Sequence, residues 1–270
     1  MLIAEIFSYP FLARAFLAGF LVSVSAALLG VSLVLRRYSM IGDGLSHVGF
    51  GALSVATVLS LSPMLVTLPV VVVSAFLLLR LSEKAKGSGD SAIALLSSSA
   101  LAIGVVAVSL GGVNTDLNAF LFGSILSVSK SDALVSVLTS LLTIAVYLVF
   151  YHQIYASTFD PAFARATGIK CERYTTLLAV LTALVIVLGM RILGSLLISS
   201  LIIFPAMTAM RLGKTYFNVT VIAVAESCLA FVLGFFASYA FSLPTGATIV
   251  VSHLILFLAA LILGKLKRRI

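Results

Sequence analysis

The chain has 270 residues, 61% of them hydrophobic and 10% charged, with a net charge of +8. A soluble domain usually carries about a quarter charged residues, so this composition excludes a water-soluble globular fold and points to a multi-pass membrane protein. Its Lys and Arg residues fall between long apolar runs rather than on one solvated face, which excludes nucleic acid as a partner and attributes the basic excess to membrane orientation.

A spanning helix needs about 20 apolar residues. Residues 15–35 form the first such run, between Arg14 and Arg36. The start of the chain has no basic region ahead of a short apolar core, so a cleaved signal peptide is not expected. After the run comes Arg36-Arg-Tyr-Ser-Met-Ile-Gly-Asp-Gly-Leu-Ser-His47. Asp43 and His47 are the only side chains between Arg37 and Arg80 that titrate below about pH 8. Four residues apart, they share one helical face. Ionisable groups at a membrane segment are costly and are functional candidates. Carboxylate oxygen plus imidazole nitrogen suits manganese, zinc or ferrous iron. Two structural readings stay open: Asp43 as a helix N-cap near Arg36 and Arg37, and His47 as a packed polar side chain.

Residues 48–79 are too long for one span and contain Pro63 and Pro69, so a turn is placed at Leu61-Ser-Pro-Met64 and two helices are read. The first is short unless it begins before His47. Residues 91–115 make the fourth helix, and a re-entrant piece near 114–122 would shift the total to eight or ten. Asp116 and Asp132 either receive a cation, dock a delivery protein or are solvated loop charges. Residues 133–151 form the fifth helix, with His152 at its mouth.

A long loop over about 152–173 follows. Within it, Ser157-Thr-Phe-Asp-Pro-Ala-Phe-Ala-Arg-Ala-Thr-Gly-Ile169 reads as one capped helix of about two turns. Asp160 suits the N-cap, Pro161 the first helical position and Gly168 a left-handed terminus. Phe159 and Phe163 would give it a small docking surface; the alternative is an ordinary amphipathic connector.

Residues 174–190 and 192–210 are the sixth and seventh helices. Pro205 lies inside the latter, removes one backbone hydrogen bond and should kink it. Met207 and Met210 read as packing rather than a copper site. Residues 215–264 contain only Glu226 and His253 as acidic, basic or imidazole side chains and break at Ser242-Leu-Pro-Thr-Gly246, giving the last two helices. Glu226 could be a metal ligand, a gate or a structural partner. His253 reads as a packed, hydrogen-bonded group with a secondary metal contact as the minor alternative. Cys171 and Cys228 lack paired spacing, so neither a disulfide nor a thiolate site is expected.

The result is an all-α integral membrane protein of about nine helices, a single polytopic domain over residues 1–270. With the amino terminus outside and the carboxyl terminus cytoplasmic, 14 of the 17 basic residues face the cytoplasm, leaving Arg14, Lys130 and Arg191 outside. No Gly-x-x-x-x-Gly-Lys-Ser/Thr sequence is present, so an ATPase, if one drives transport, is a separate subunit and the chain is no enzyme.

Five blocks in order carry a family resemblance: Arg37–His47, Leu121–Ser129, Phe159–Gly168, Leu196–Ala209 and Leu243–Ile249. Together they resemble the manganese/zinc/iron-type ABC permeases, from about residue 15 to 265. The resemblance implies a type II-like importer permease acting as a homodimer. It also implies a cytoplasmic ABC ATPase dimer and an extracellular or periplasmic solute-binding protein that delivers the ion. Asp43 and His47 from two copies would line one pathway for manganese, zinc or iron, with no covalently bound cofactor, and the segment around Phe159–Gly168 would seat in the ATPase. Two other readings compete: an ion-coupled secondary transporter, and a permease for a metal chelate such as vitamin B12 or a siderophore.

Overall fold

The computed structural model describes residues 9–84, 89–112, 123 and 129–267. Every regular element among them is an α-helix. In chain order these are α1 (Pro10–Leu35), α2 (Ile41–Val58), α3 (Pro63–Lys84), α4 (Gly89–Gly111), α5 (Lys130–Val149), α6 (Tyr151–Phe159), α7 (Pro161–Ala166), α8 (Cys171–Leu193), α9 (Ser195–Leu212), α10 (Tyr216–Phe241) and α11 (Thr245–Lys267).

The nine long helices coincide with the nine apolar runs. Eight are long and apolar enough to cross a membrane. The ninth is α2, whose 18 residues include Asp43, His47 and four glycines. It starts at Ile41, ahead of both polar residues, which gives the first half of the 48–79 run its missing length. The expected turns fall in place: α3 opens on Pro63, and Ser242 closes α10 in the left-handed region at φ 53° before Pro244. The segment near 114–122, Asp116 and most of the block 121–129 lie outside the described residues.

Two elements differ from the sequence reading. The fifth run breaks at Phe150 (φ −98°, ψ 18°) and resumes as α6, a nine-residue helix that no Pro or Gly announces. The loop helix α7 is shorter than two turns, with 6 residues, because the chain already leaves it at Thr167.

Lipid supplies no hydrophobic force between helices, so small residues and hydroxyls carry much of the packing. α1 is the central post, with 72% of its apolar window buried. Ser25 of α1 donates to the Ser140 carbonyl of α5 at 3.2 Å, and Ser227 of α10 donates to the Ser23 carbonyl at 3.1 Å. At the crossing of α2 and α4 the two backbones touch: a Cβ on Gly104 would lie 2.9 Å from the Gly51 Cα. By contrast, the corresponding windows of α4 and α11 are 11% and 22% buried, so most of their surface meets lipid or another chain.

Charge sorts by end. Arg36, Arg80, Arg165, Lys170 and Arg173, all assigned to inside loops, surround one open cavity of about 1240 Å³. At the opposite ends of the same helices, Arg191 of α8 pairs with Asp132 of α5 at 3.2 Å and donates to the Met64 sulfur of α3 at 3.4 Å. Asp132 also accepts from the Ser129 hydroxyl at 2.8 Å, so it is a bonded end-clasp rather than a loose loop charge.

Candidate metal site

The residue capping α2 is Met40, without a side-chain cap bond, so Asp43 is not the N-cap; it sits in the first turn. A negative charge there is favoured by the helix dipole. One turn later, His47 places Nε2 3.6 Å from the Asp43 Oδ2. That gap is too long for a hydrogen bond. The Asp43 side chain is 46% exposed and that of His47 22%, whereas every other residue from Ile41 to Ala52 is buried. The pair is therefore one polar strip on the otherwise buried first two-thirds of the helix.

Glycines let α2 be enclosed this closely. Gly42 faces Ser199 and Ile202 of α9, Gly49 faces Met190 of α8, and a Cβ on Gly51 would collide with the Ala100 carbonyl of α4. Helices on several sides fix the rotation of α2 and leave Asp43 and His47 on an open face.

The geometry suits a cation. Bonds of about 2.0–2.2 Å to a tetrahedral ion put neighbouring donors about 3.4 Å apart, close to the observed 3.6 Å. His47 Nδ1 is buried without a hydrogen-bond partner, so no described contact pins the ring to one tautomer. Among the described residues no three His, Cys, Asp or Glu side chains gather. One chain thus offers two donors, fewer than the four a closed transition-metal site uses.

The second polar pair is built differently. Glu226 of α10 and His253 of α11, weighed separately in the sequence, face each other across the last helical hairpin. His253 Nδ1 lies 3.1 Å and 3.2 Å from the two carboxylate oxygens. The side chains are 0% and 5% exposed for His253 and Glu226, and Phe204 of α9 stacks on the imidazole with centroids 6.1 Å apart. Their signal was available: they are the only acidic, basic or imidazole side chains in 215–264 and sit on consecutive helices.

The loop segment has the capping its sequence prescribes. The Asp160 carboxylate accepts from the Ala162 and Phe163 amides at 3.1 and 2.9 Å, and Pro161 opens α7. Gly168 (φ +85°) closes it, with the Ile169 amide donating to the Ala164 carbonyl at 2.9 Å. Phe159 and Phe163 are 71% and 65% exposed, a pair of outward aromatics beside the basic cavity. His152 on α6 is exposed and contacts Tyr151. Pro205 is buried within α9, which continues from Ser195 to Leu212.

Two features escaped the sequence reading. Arg36 donates to three hydroxyls around the base of the loop, and Ser32, Tyr147 and Tyr216 join their hydroxyls between α1, α5 and α10 at 2.8–3.3 Å. Ser, Thr and Tyr in apolar runs give no sign of which helix they will meet.

Residues 8–264 match the ABC 3 transport family. The chain belongs to that family. It is thus a multi-pass membrane permease of an ABC transporter, located in a prokaryotic cell membrane, and not an enzyme. The manganese import system permease protein ScaB of Streptococcus gordonii is 29% identical over 260 residues, covering 96% of this chain and 94% of that protein. The high-affinity zinc uptake system membrane protein ZnuB of Haemophilus influenzae is 29% identical over 254 residues, covering 94% and 97%. Among solved structures, PsaBC from Streptococcus pneumoniae, in complex with Fab, superposes with a TM-score of 0.83 at 28% identity, covering 96% of this chain and 94% of that one.

Proposed function

We propose that this ABC 3 family permease is the translocation subunit of an ATP-driven importer for a divalent transition-metal ion. The observation that carries the reading is the open Asp43–His47 pair, two donors held 3.6 Å apart on a part-exposed strip in the otherwise buried stretch Ile41–Ala52. Relatives named for manganese and zinc support those two cargoes. Ferrous iron fits the same donors.

Two donors per chain call for a second copy. A homodimer that brings two such strips together would present two carboxylates and two imidazoles to one pathway. Facing carboxylates repel in a low-dielectric channel, and a divalent cation relieves that repulsion. A neutral imidazole binds the ion and a protonated one does not. The cation would leave water for the strip when the carboxylates replace part of its hydration shell, and go on when that set is disrupted.

Energy would come from a separate ABC ATPase dimer docking on α7 through Phe159 and Phe163, with Asp160, Pro161 and Gly168 holding the helix in shape. A solute-binding protein would deliver the ion at the end marked by Arg191 and Asp132. The orientation follows the basic residues: amino terminus outside, carboxyl terminus cytoplasmic. Pro205 shapes α9, one of the walls of α2. Glu226 and His253 hold α10 to α11 through His253 Nδ1, which lies 3.1 Å from the carboxylate, while His253 Nε2 is buried without a hydrogen-bond partner.

Cellular manganese, zinc and iron content decides the matter, measured in a strain without its own high-affinity importers that carries the permease with its ATPase and binding protein. Wild type should raise one metal, while Asp43→Ala and His47→Ala, expressed to the same level in the membrane, should not. Variants that accumulate the ion like wild type would overturn the site. Uptake of a metal chelate in preference to the free ion, or uptake without the ATPase, would replace the function.

A further inference from the structure

The segment proposed to seat in the ATPase and the helix bearing Asp43 and His47 are far apart in sequence, yet one side chain joins them. Arg36 Nε donates to Thr158 Oγ1 at 3.1 Å, Nη2 to Ser157 Oγ at 2.9 Å and Nη1 to Thr175 Oγ1 at 2.8 Å. Ser157 and Thr158 end α6, immediately before Asp160 and α7. Thr175 lies in the first turns of α8, immediately after the loop. The guanidinium therefore grips both the entry and the exit of the loop with three separate hydrogen bonds. All three hydroxyl-bearing residues are buried, where a planar fork loses less freedom per bond than a flexible ammonium would.

From Arg36 the chain reaches α2 through a short turn tied at both ends by backbone hydrogen bonds. Arg37 adopts the left-handed conformation at φ 64°, which is strained for a residue with a Cβ. The Tyr38 amide donates to the Leu33 carbonyl at 2.8 Å and the Arg37 amide to Val34 at 3.0 Å, closing α1. The Ile41 amide donates to the Tyr38 carbonyl at 3.1 Å, opening α2. Tyr38 itself is buried. Little slack remains between the guanidinium and the first turn of α2, which contains Asp43.

We propose that Arg36 is the positioning residue that converts movement of the ATPase-docking segment into movement of the metal-bearing helix. A tilt of α7 moves the ends of α6 and α8 together, the guanidinium follows both, and α2 follows through its bonded turn. The proposal rests on the function proposed above, and it assigns to this chain a link that neither the docking helix nor the metal pair contains.

The test uses the whole complex of permease, ATPase and binding protein in proteoliposomes, with manganese and zinc as the probe ions. Import and ATP hydrolysis are measured together for wild type, Arg36→Gln, Arg36→Lys and the double variant Ser157→Ala/Thr175→Val. The expected result is an import-to-hydrolysis ratio at least tenfold lower in Arg36→Gln, with hydrolysis within about twofold of wild type. Arg36→Lys and the hydroxyl variant should lie between. Metal binding to the detergent-purified complex should be unchanged, since Asp43 and His47 are intact.

A cargo-independent arm labels Met40→Cys, in the α1–α2 turn, with a maleimide in a background where Cys171 and Cys228 are Ser. Trapping the ATPase with ATP and vanadate should change the labelling rate when Arg36 is present and not in Arg36→Gln. A wild-type ratio in Arg36→Gln, parallel loss of import and hydrolysis, or an unaltered labelling change would each overturn the proposal. If Arg36→Gln fails to assemble, the hydroxyl variant decides on the same ratio. A wild-type complex that imports neither ion would sink the metal reading instead, and the labelling arm would still judge Arg36.

Discussion

Two carboxylate–imidazole pairs lie in this membrane protein, and they are opposites. Asp43 and His47 share one helix, stay partly exposed and stop 3.6 Å apart. Glu226 and His253 come from two helices, are almost wholly buried and close to 3.1 Å. The closed pair is sealed from outside and joins two helices through His253 Nδ1, although His253 Nε2 stays without a hydrogen-bond partner. An open pair keeps lone pairs for a third atom. Chemistry alone does not separate the two, since the residue types are nearly the same; exposure and half an ångström do.

The largest expected effect comes from deleting the open pair. Asp43→Ala or His47→Ala should reduce metal accumulation to the level of cells without the permease, read by elemental analysis at matched expression. An Ala variant that retains more than about half of wild-type uptake would erase the distinction between the pairs.

Breaking the closed pair should show in stability before it shows in transport. Glu226→Ala leaves a buried imidazole without its carboxylate, a loss of about 1–3 kcal/mol for an unsatisfied buried group. Thermal unfolding in detergent should move down, while uptake by the surviving protein stays within about twofold. Loss of uptake at unchanged stability would recast Glu226 as part of the pathway. Smallest of all should be the double variant Glu226→Leu/His253→Leu, because replacing both partners with apolar groups can be nearly neutral. A melting point well below that of Glu226→Ala would mean that the pair does more than satisfy itself.

The contrast also explains what the sequence could and could not reveal. Spans were legible because lipid demands uninterrupted apolar runs, bounded here by Arg and Lys and cut by Pro63 and by Pro244. Asp43 and His47 were legible because four residues on a helix fix their relation without any tertiary knowledge. Asp160, Pro161 and Gly168 were legible for the same reason, as local capping chemistry. Glu226 and His253 stand 27 positions apart, so their meeting depends on the register of a hairpin that periodicity does not set. Arg36 was read as a topology charge, one of many at that membrane face. Its partners are Ser157, Thr158 and Thr175, whose hydroxyls give no sequence pattern. The break at Phe150 likewise lacks a Gly or Pro to betray it.

The low apolarity of α2 bears on how the protein is made. A translocon passes segments sideways into lipid one by one, according to how well each partitions. Among the nine long helices α2 alone falls short of that standard, since it bears the very groups a cation would use. It should wait at the exit until α1 and α3 flank it and α4 covers its glycine face. Biogenesis of this permease would then be cooperative at its second span, and a cell lacking insertion chaperones would lose it there first.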